Sequence, residues 1–363
     1  MLLPLLLASG LSAAHAAEVT DLPQPLRGMA ALDYSVTGDA TRLVEGDTQV
    51  GARQERSHTL SLQGAFSPVQ GVALAFSLPY VVDQRLSWSM AQQMSFDPIL
   101  GMGSMVGTDP IDPPPVEKGH GLAGPLLAVQ LTPFNADLFH NGFHRTTWLL
   151  EGGFRFQDKS SFFAERDDGS RGAGPGGAAL HLRTAFSTTR QQARPYVQAS
   201  FDRAFTVATD LRDADHAVVV AGAPVRPASR LDFRVGAEVP VKTGPELAVS
   251  LDVRGRFGYR SWQDIPSGLY LPDVLAASRE VLVTQGEALH ATGGLGLQLR
   301  FPGTADLLVG GDCGVESPYR VEHPYRVRTD LGTVVWQAHL AVRVWIDDKI
   351  LGLTAAEPDA AQP

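Results

Sequence analysis

The chain has 363 residues, with 30 Lys and Arg against 39 Asp and Glu, a formal net charge of −9 and one cysteine. That length accommodates one large domain or two ordinary ones. The single cysteine excludes a disulfide framework, and an acidic balance without clustered Lys and Arg excludes a surface that tracks nucleic-acid phosphates. Cys313 reads as structural packing, because a thiol nucleophile needs a neighbouring base to hold it as the thiolate.

The opening residues, MLLPLLLASGLSAAHAAEV, place a Leu-rich run before small residues and Ala14-His15-Ala16. This is the A-x-A pattern of a secretory cleavage site, so residues 1–16 read as a signal peptide and the chain as exported. No later segment offers the roughly 18 consecutive apolar residues that an inner-membrane helix requires.

From there the dominant signal is strict alternation. In SHTLSLQGAF, Leu60, Leu62 and Phe66 oppose Ser57, Thr59, Ser61 and Gln63. In SRLDFRVGAEVPV, Leu231, Phe233, Val235 and Val239 oppose Asp232, Arg234 and Glu238, and in ELAVSLDVRGRFGYR, Leu247, Val249, Leu251 and Val253 oppose Ser250, Asp252 and Arg254. EALHATGGLGLQLRF and TVVWQAHLAVRVWI continue the pattern. A period of two gives a strand one apolar and one polar face. Twelve strands are predicted: 29–37, 57–66, 72–82, 122–132, 146–157, 177–186, 196–205, 231–241, 246–259, 288–301, 306–319 and 333–346. Most approach or exceed the roughly 9 to 11 tilted residues that cross a bilayer.

The predicted connections sort by parity. Those after even strands are short (67–71, 133–145, 187–195, 242–245, 302–305), and those after odd strands are long (38–56, 83–121, 158–176, 206–230, 260–287, 320–332). Short turns on one side and long loops on the other are the signature of an outer-membrane barrel with both termini in the periplasm. The expected fold is therefore all-β, a transmembrane antiparallel up-and-down β-barrel of about 12 strands over residues 17–346. A count of 14 is the alternative, resting on HAVVVAGAPVR at 216–226. Residues 347–363, DDKILGLTAAEPDAAQP, read as a flexible periplasmic tail.

In hydrocarbon every backbone N–H and C=O must be paired within the protein, which an open sheet cannot do at its edges. A closed barrel then turns its apolar side chains to lipid and its polar ones inward. The inward set is Asp33, Glu151, Asp202, Asp232, Glu238, Asp252, Asp312 and Glu316 with Arg155, Arg183, Arg234, Arg254, Arg256, Arg300 and Arg343, and His181, His290 and His339. Opposite charges are expected to pair across strands, Asp232 and Arg234 with Asp252 and Arg254 where register allows. Aromatics near strand ends, among them Phe66, Tyr80, Trp148, Phe257, Trp262, Phe301, Tyr319 and Trp345, read as girdles at headgroup level.

The FSLPYVV stretch (76–82) ends a strand after a short turn. It is followed by a long loop and then GHGLAGPLLAVQL (119–131), where Gly124-Pro125 stands in place of Gly-Asp. Together these segments resemble the transporter-like outer-membrane family named for the MetA pathway of phenol degradation. The resemblance implies a channel or transporter for a poorly defined, hydrophobic or aromatic solute, and carries over no catalytic residue.

The resulting expectation is a monomeric Gram-negative outer-membrane barrel allowing passive passage or uptake of a small solute. Arg234, Arg254, Arg256, Asp252, Glu238 and Arg300 are the candidate lining residues, with no cofactor and no metal. Its expected partners are outer-membrane lipid, lipopolysaccharide, the barrel assembly machinery and the solute. A structural or adhesive barrel is the alternative. An outer-membrane hydrolase is disfavoured, because a wall-borne Ser–His pair needs the two residues two apart on one strand face and no His-x-Ser occurs. No His pair has the i, i+2 spacing of a strand-borne metal site.

Overall fold

The computed structural model describes Pro23 and residues 26–346, apart from 46, 91–116, 135–144, 157–176, 191, 213–217, 274–275, 302–304, 323–326 and 330–332. The proposed signal peptide, the tail and residues 91–116 of the predicted loop 83–121 lie outside the described residues.

In chain order the elements are β1 (Gly28–Glu45), β2 (Thr48–Val69), β3 (Val72–Met90), β4 (Glu117–Leu122), β5 (Leu126–Phe134), β6 (Arg145–Arg155), β7 (Ala179–Thr189), β8 (Arg194–Ala204), β9 (Val207–Arg212), β10 (Val218–Val225), β11 (Arg230–Lys242), β12 (Ala248–Arg260), β13 (Gln263–Asp273), β14 (Ala276–Gln285), β15 (Ala288–Phe301), β16 (Ala305–Glu316), β17 (Arg320–Glu322), β18 (Val327–Thr329) and β19 (Thr333–Ile346). Strands β4 and β5 both pair with β3 and together fill one place in the wall. The wall runs β1-β2-β3-β4/β5-β6-β7-β8-β11-β12-β15-β16-β19, and β19 pairs with β1 over Gly28↔Ile346 to Ala40↔Val334. Twelve antiparallel staves thus close into a barrel.

The predicted strands match the staves closely except for the first three, which run eight or nine residues further at one end, and the predicted long loops do not stay loops. The segment 38–56 is mostly strand: β1 runs to Glu45, β2 starts at Thr48, and the two pair from Gly28↔Phe66 up to Glu45↔Thr48. Its outward positions Arg42, Gln54 and Arg56 are exposed and polar, so the apolar half of the alternation disappears while the strand continues beyond the lipid. The region 206–230 contains the β9–β10 hairpin, which forms its own two-stranded sheet, so 216–226 adds no stave. Hairpins β13–β14 and β17–β18 extend the wall on the same side, pairing through Thr284↔Glu322 and Leu43↔Thr329.

Outside, the staves expose a continuous apolar belt. Leu32, Leu62, Leu74, Leu127, Leu182, Phe233, Val253, Leu295, Val309 and Leu340 all lie in it with more than a third of their surface open. Such a surface around a closed sheet requires lipid as its solvent. The chain is therefore a transmembrane barrel of the Gram-negative outer membrane. Rings on this face lie over glycines: Trp336 covers Gly38 and Phe76 covers Gly64, in space that a Cβ would occupy. Cys313 also faces outward and is exposed, rather than packed. Two of the expected girdle aromatics are instead turned to the interior. Tyr319 is buried beneath the Arg260 guanidinium, 4.6 Å from the ring centroid, and the Arg343 guanidinium lies 6.0 Å from the Trp345 ring centroid.

One place in the wall is incompletely laced. Pro79, inside β3, has no N–H to donate toward the neighbour on the β4/β5 side, where its carbonyl accepts from Ala123 N at 2.8 Å. Opposite it the chain breaks at 123–125, with Gly124 at φ +80° and Pro125 lacking a second donor. A side chain at Gly124 would be strained and would press on the Arg155 stem at 3.0 Å.

Candidate functional site

The inward positions of the alternation form the barrel's interior, and its two halves differ. On β2, β3 and β5 it presents small residues, Ala65, Ala73, Ala75, Ser77 and Ala128. On β6 to β8, β11, β12, β15, β16 and β19 it is dense with charge. The whole predicted inward set occupies this face.

The charges are organised in networks that each cross several staves. In the first, Glu151 on β6 accepts from Arg183 Nη2 at 2.6 Å, from Gln130 Nε2 at 2.6 Å and from His181 Nε2 at 2.9 Å. His181 Nδ1 faces Asp202 Oδ1 on β8 at 2.7 Å, and Arg155 Nη2 stands 3.7 Å from Asp202 Oδ2. Both imidazole nitrogens thus face carboxyl oxygens, the arrangement in which a doubly protonated ring finds an acceptor for each N–H.

In the second network, Asp232 on β11 accepts from Arg256 on β12 at 2.8 Å and from His290 Nε2 on β15 at 3.0 Å. The third joins Asp252 and Arg254 on β12 (3.0 Å) to Asp312 on β16, whose two carboxylate oxygens take Arg254 Nε and Nη2 at 2.7 Å each. Tyr196 on β8 donates to Asp252 at 3.0 Å. At the short-turn end, Asp306 lies 3.5 Å from Arg300 and 3.8 Å from Arg343 and accepts from Gln298 at 3.1 Å. At the opposite end, Arg260 faces Glu316 at 3.4 Å.

The register is not the one that would pair Asp232 and Arg234 with Asp252 and Arg254 side by side. Directly opposite partners are like-charged: Arg234↔Arg256 and Glu238↔Asp252. The salt bridges run diagonally or skip a strand, and glycines let them. Gly258 lies between Asp232 and His290, its register partners on either side, and a Cβ there would collide with both side chains. Gly294 likewise separates Arg254 from Asp312, and Gly236 lies under the Tyr196 hydroxyl. A flat spot on the intervening strand brings within contact two side chains that are two strands apart. Removing one partner from such a buried pair typically costs about 3–5 kcal/mol, because the other charge is stranded.

Of the candidate residues, Asp252, Arg254, Arg234 and Glu238 are buried on the interior face, while Arg256 and Arg300 are half-buried. Asp252, Arg254 and Arg256 belong to the networks of β12, and Arg300 to the short-turn end. Arg234 Nη1 and Glu238 Oε2 are buried without a hydrogen bond. Sequence reasoning passed over Glu55, which accepts from Gln84 at 2.8 Å, as well as Asp306 and Arg260. Continuing the period-two count through 38–56 and one step past Tyr259 reaches Glu55 and Arg260. Among the described residues, no group of three or more His, Cys, Asp or Glu is placed to hold a metal ion.

Between the two halves lies a cavity of about 140 Å³. Ala65, Ala75 and Ala128 bound it on one side, and Glu151, Arg155, His181, Arg183, Gln198 and Asp202 on the other.

No protein-family model matches the chain, and no curated protein does either. Among solved structures it is similar to an outer-membrane channel from Pseudomonas putida F1, at 11% identity and a TM-score of 0.48 over 91% of this chain and 98% of that one. It is also similar to the translocator domain of autotransporter NalP from Neisseria meningitidis (10% identity, TM-score 0.40, 87% and 88% covered). A third similar structure is the P. putida toluene transporter TodX (9%, 0.35, 92% and 94%). Likenesses of this size decide neither strand count nor function, and the resemblance to the MetA-pathway family is supported no further than a membrane barrel.

Proposed function

We propose that the chain is an outer-membrane channel for passive passage or uptake of a small solute, with Arg234, Arg254, Arg256, Asp252, Glu238 and Arg300 lining the path. The observation that carries this reading is the interior itself: polar and charged from Arg300 and Asp306 at one end to Arg260 and Glu316 at the other, and enclosing a cavity. A barrel needing only stability is as well served by an apolar fill, since burying paired charges gains little over packed hydrocarbon. Among the described residues both charge signs recur along the interior without a single-sign ring of the kind that imposes ion selectivity. The family resemblance adds a hydrophobic or aromatic solute. Export by the signal peptide, insertion by the barrel assembly machinery, contact with lipopolysaccharide and a monomeric state belong to the same proposal.

A structural barrel is the second reading, favoured by the Asp252–Arg254–Asp312 bridge, which spans the interior side of β12, β15 and β16. Planar-bilayer recording separates the two. The channel reading expects solute-dependent conductance that changes in the Arg254→Ala, Arg256→Ala double variant, and liposome swelling that differs among sugars, aromatic acids and alkanes. A properly folded barrel that conducts nothing transfers the argument to the structural reading.

A further inference from the structure

The geometry points to a binding site for a small organic monocarboxylate in the cavity between β3, β5 and β6 to β8. This rests on the channel reading and names the class of solute that pauses there. Three cations line the cavity, Arg155, Arg183 and the doubly hydrogen-bonded His181, against two carboxylates, Glu151 and Asp202. One negative charge is therefore missing from its wall.

The hydrogen bonding is short in the same place. Arg183 spends Nη2 on Glu151, while its Nε–H is buried without a partner. Arg155 makes only the loose 3.7 Å contact to Asp202 among its described ion pairs. A carboxylate entering here would meet the guanidiniums of Arg155 and Arg183, whose side chains keep 13% and 17% of their surface open and which are the donors best shaped for it. Gln198, 5% exposed, lines the cavity beside them.

The opposite wall decides between an inorganic and an organic anion. There Ala65, Ala75 and Ala128 lie among Gln63, Ser77 and Gln130, and the alanines give an apolar body surface to cover that a hydrated ion does not use. The volume of about 140 Å³ is that of a one-ring solute, since a cavity of about 150 Å³ takes up benzene.

The test is titration calorimetry of the folded, detergent-solubilised barrel with benzoate, toluene and chloride, alongside liposome swelling. Benzoate is expected to bind, with toluene at least tenfold weaker and chloride failing to compete. Arg155→Gln should weaken benzoate at least tenfold, and Ala75→Leu, which fills the cavity and leaves every charge in place, should do the same. Each variant is checked for folding by heat-modifiable gel mobility. Equal binding of benzoate and toluene, displacement by chloride, or unchanged benzoate affinity in folded Ala75→Leu overturns the site. Swelling without benzoate binding removes the site and leaves the channel; benzoate binding without swelling for any solute keeps the site and removes the channel.

Discussion

Gly258 carries no function of its own, yet its missing side chain is what lets His290 reach Asp232 across a strand. Gly258→Ala would push a methyl into both groups and should destabilise the barrel by about 1–3 kcal/mol, the usual penalty for overpacking. Gly293→Ala, where a Cβ meets nothing within 4 Å, should stay within about 0.5 kcal/mol. Urea unfolding in lipid vesicles measures both, and equal costs would show that the open space at Gly258 is incidental. At this scale the sequence told which residues face inward, because parity alone decides that. It could not tell which inward charges meet. Partners depend on register, and Arg234 landing opposite Arg256 is invisible in either strand read alone. The reach over glycine was also hidden, since Gly258 and Gly294 are inconspicuous members of alternating runs.

Among the elements, the seam between β3 and the β4/β5 stave is interrupted at its middle, opposite Pro79. Two prolines and the interruption of the strand at 123–125 remove donors from this seam, in contrast to the eleven consecutive pairs of β6 with β7. Hydrogen–deuterium exchange should find the amides of residues 77–81 and 122–126 opening faster than those of 148–154. Uniform protection across both would mean that the neighbouring strands compensate for the missing bonds. Element positions were legible from alternation where lipid enforces it and became illegible above the lipid, which is why β1 and β2 run on past their predicted ends. Hairpins β13–β14 and β17–β18 were missed for the same reason: with water on the outside, a strand has no need of an apolar face.

For the whole molecule, the claim is that lipid surrounds the belt. Leu295, near the middle of β15 and among the most exposed of its side chains, should tolerate charge poorly; Leu295→Arg is expected to cost about 2–4 kcal/mol in vesicles, the depth-dependent price of a cation at the bilayer midplane. Tryptophan gives a second check. With each kept as the sole tryptophan, Trp336 on the outer face should be quenched by a lipid-borne quencher and Trp345 on the interior side should be shielded. Equal quenching would contradict the inward placement of Trp345. Closure itself was readable from the even strand count and the sorted connections, while the contrast between a small-residue wall and a charged one emerged only when distant strands were brought face to face.

Because β1, β2 and β3 run on past the apolar belt and hairpins β13–β14 and β17–β18 lengthen the wall at the same end, the described barrel carries a collar beyond the belt, bearing Arg42, Arg56 and Arg85 on one flank. Anything that reaches the barrel from this end meets the collar before it meets the apolar belt.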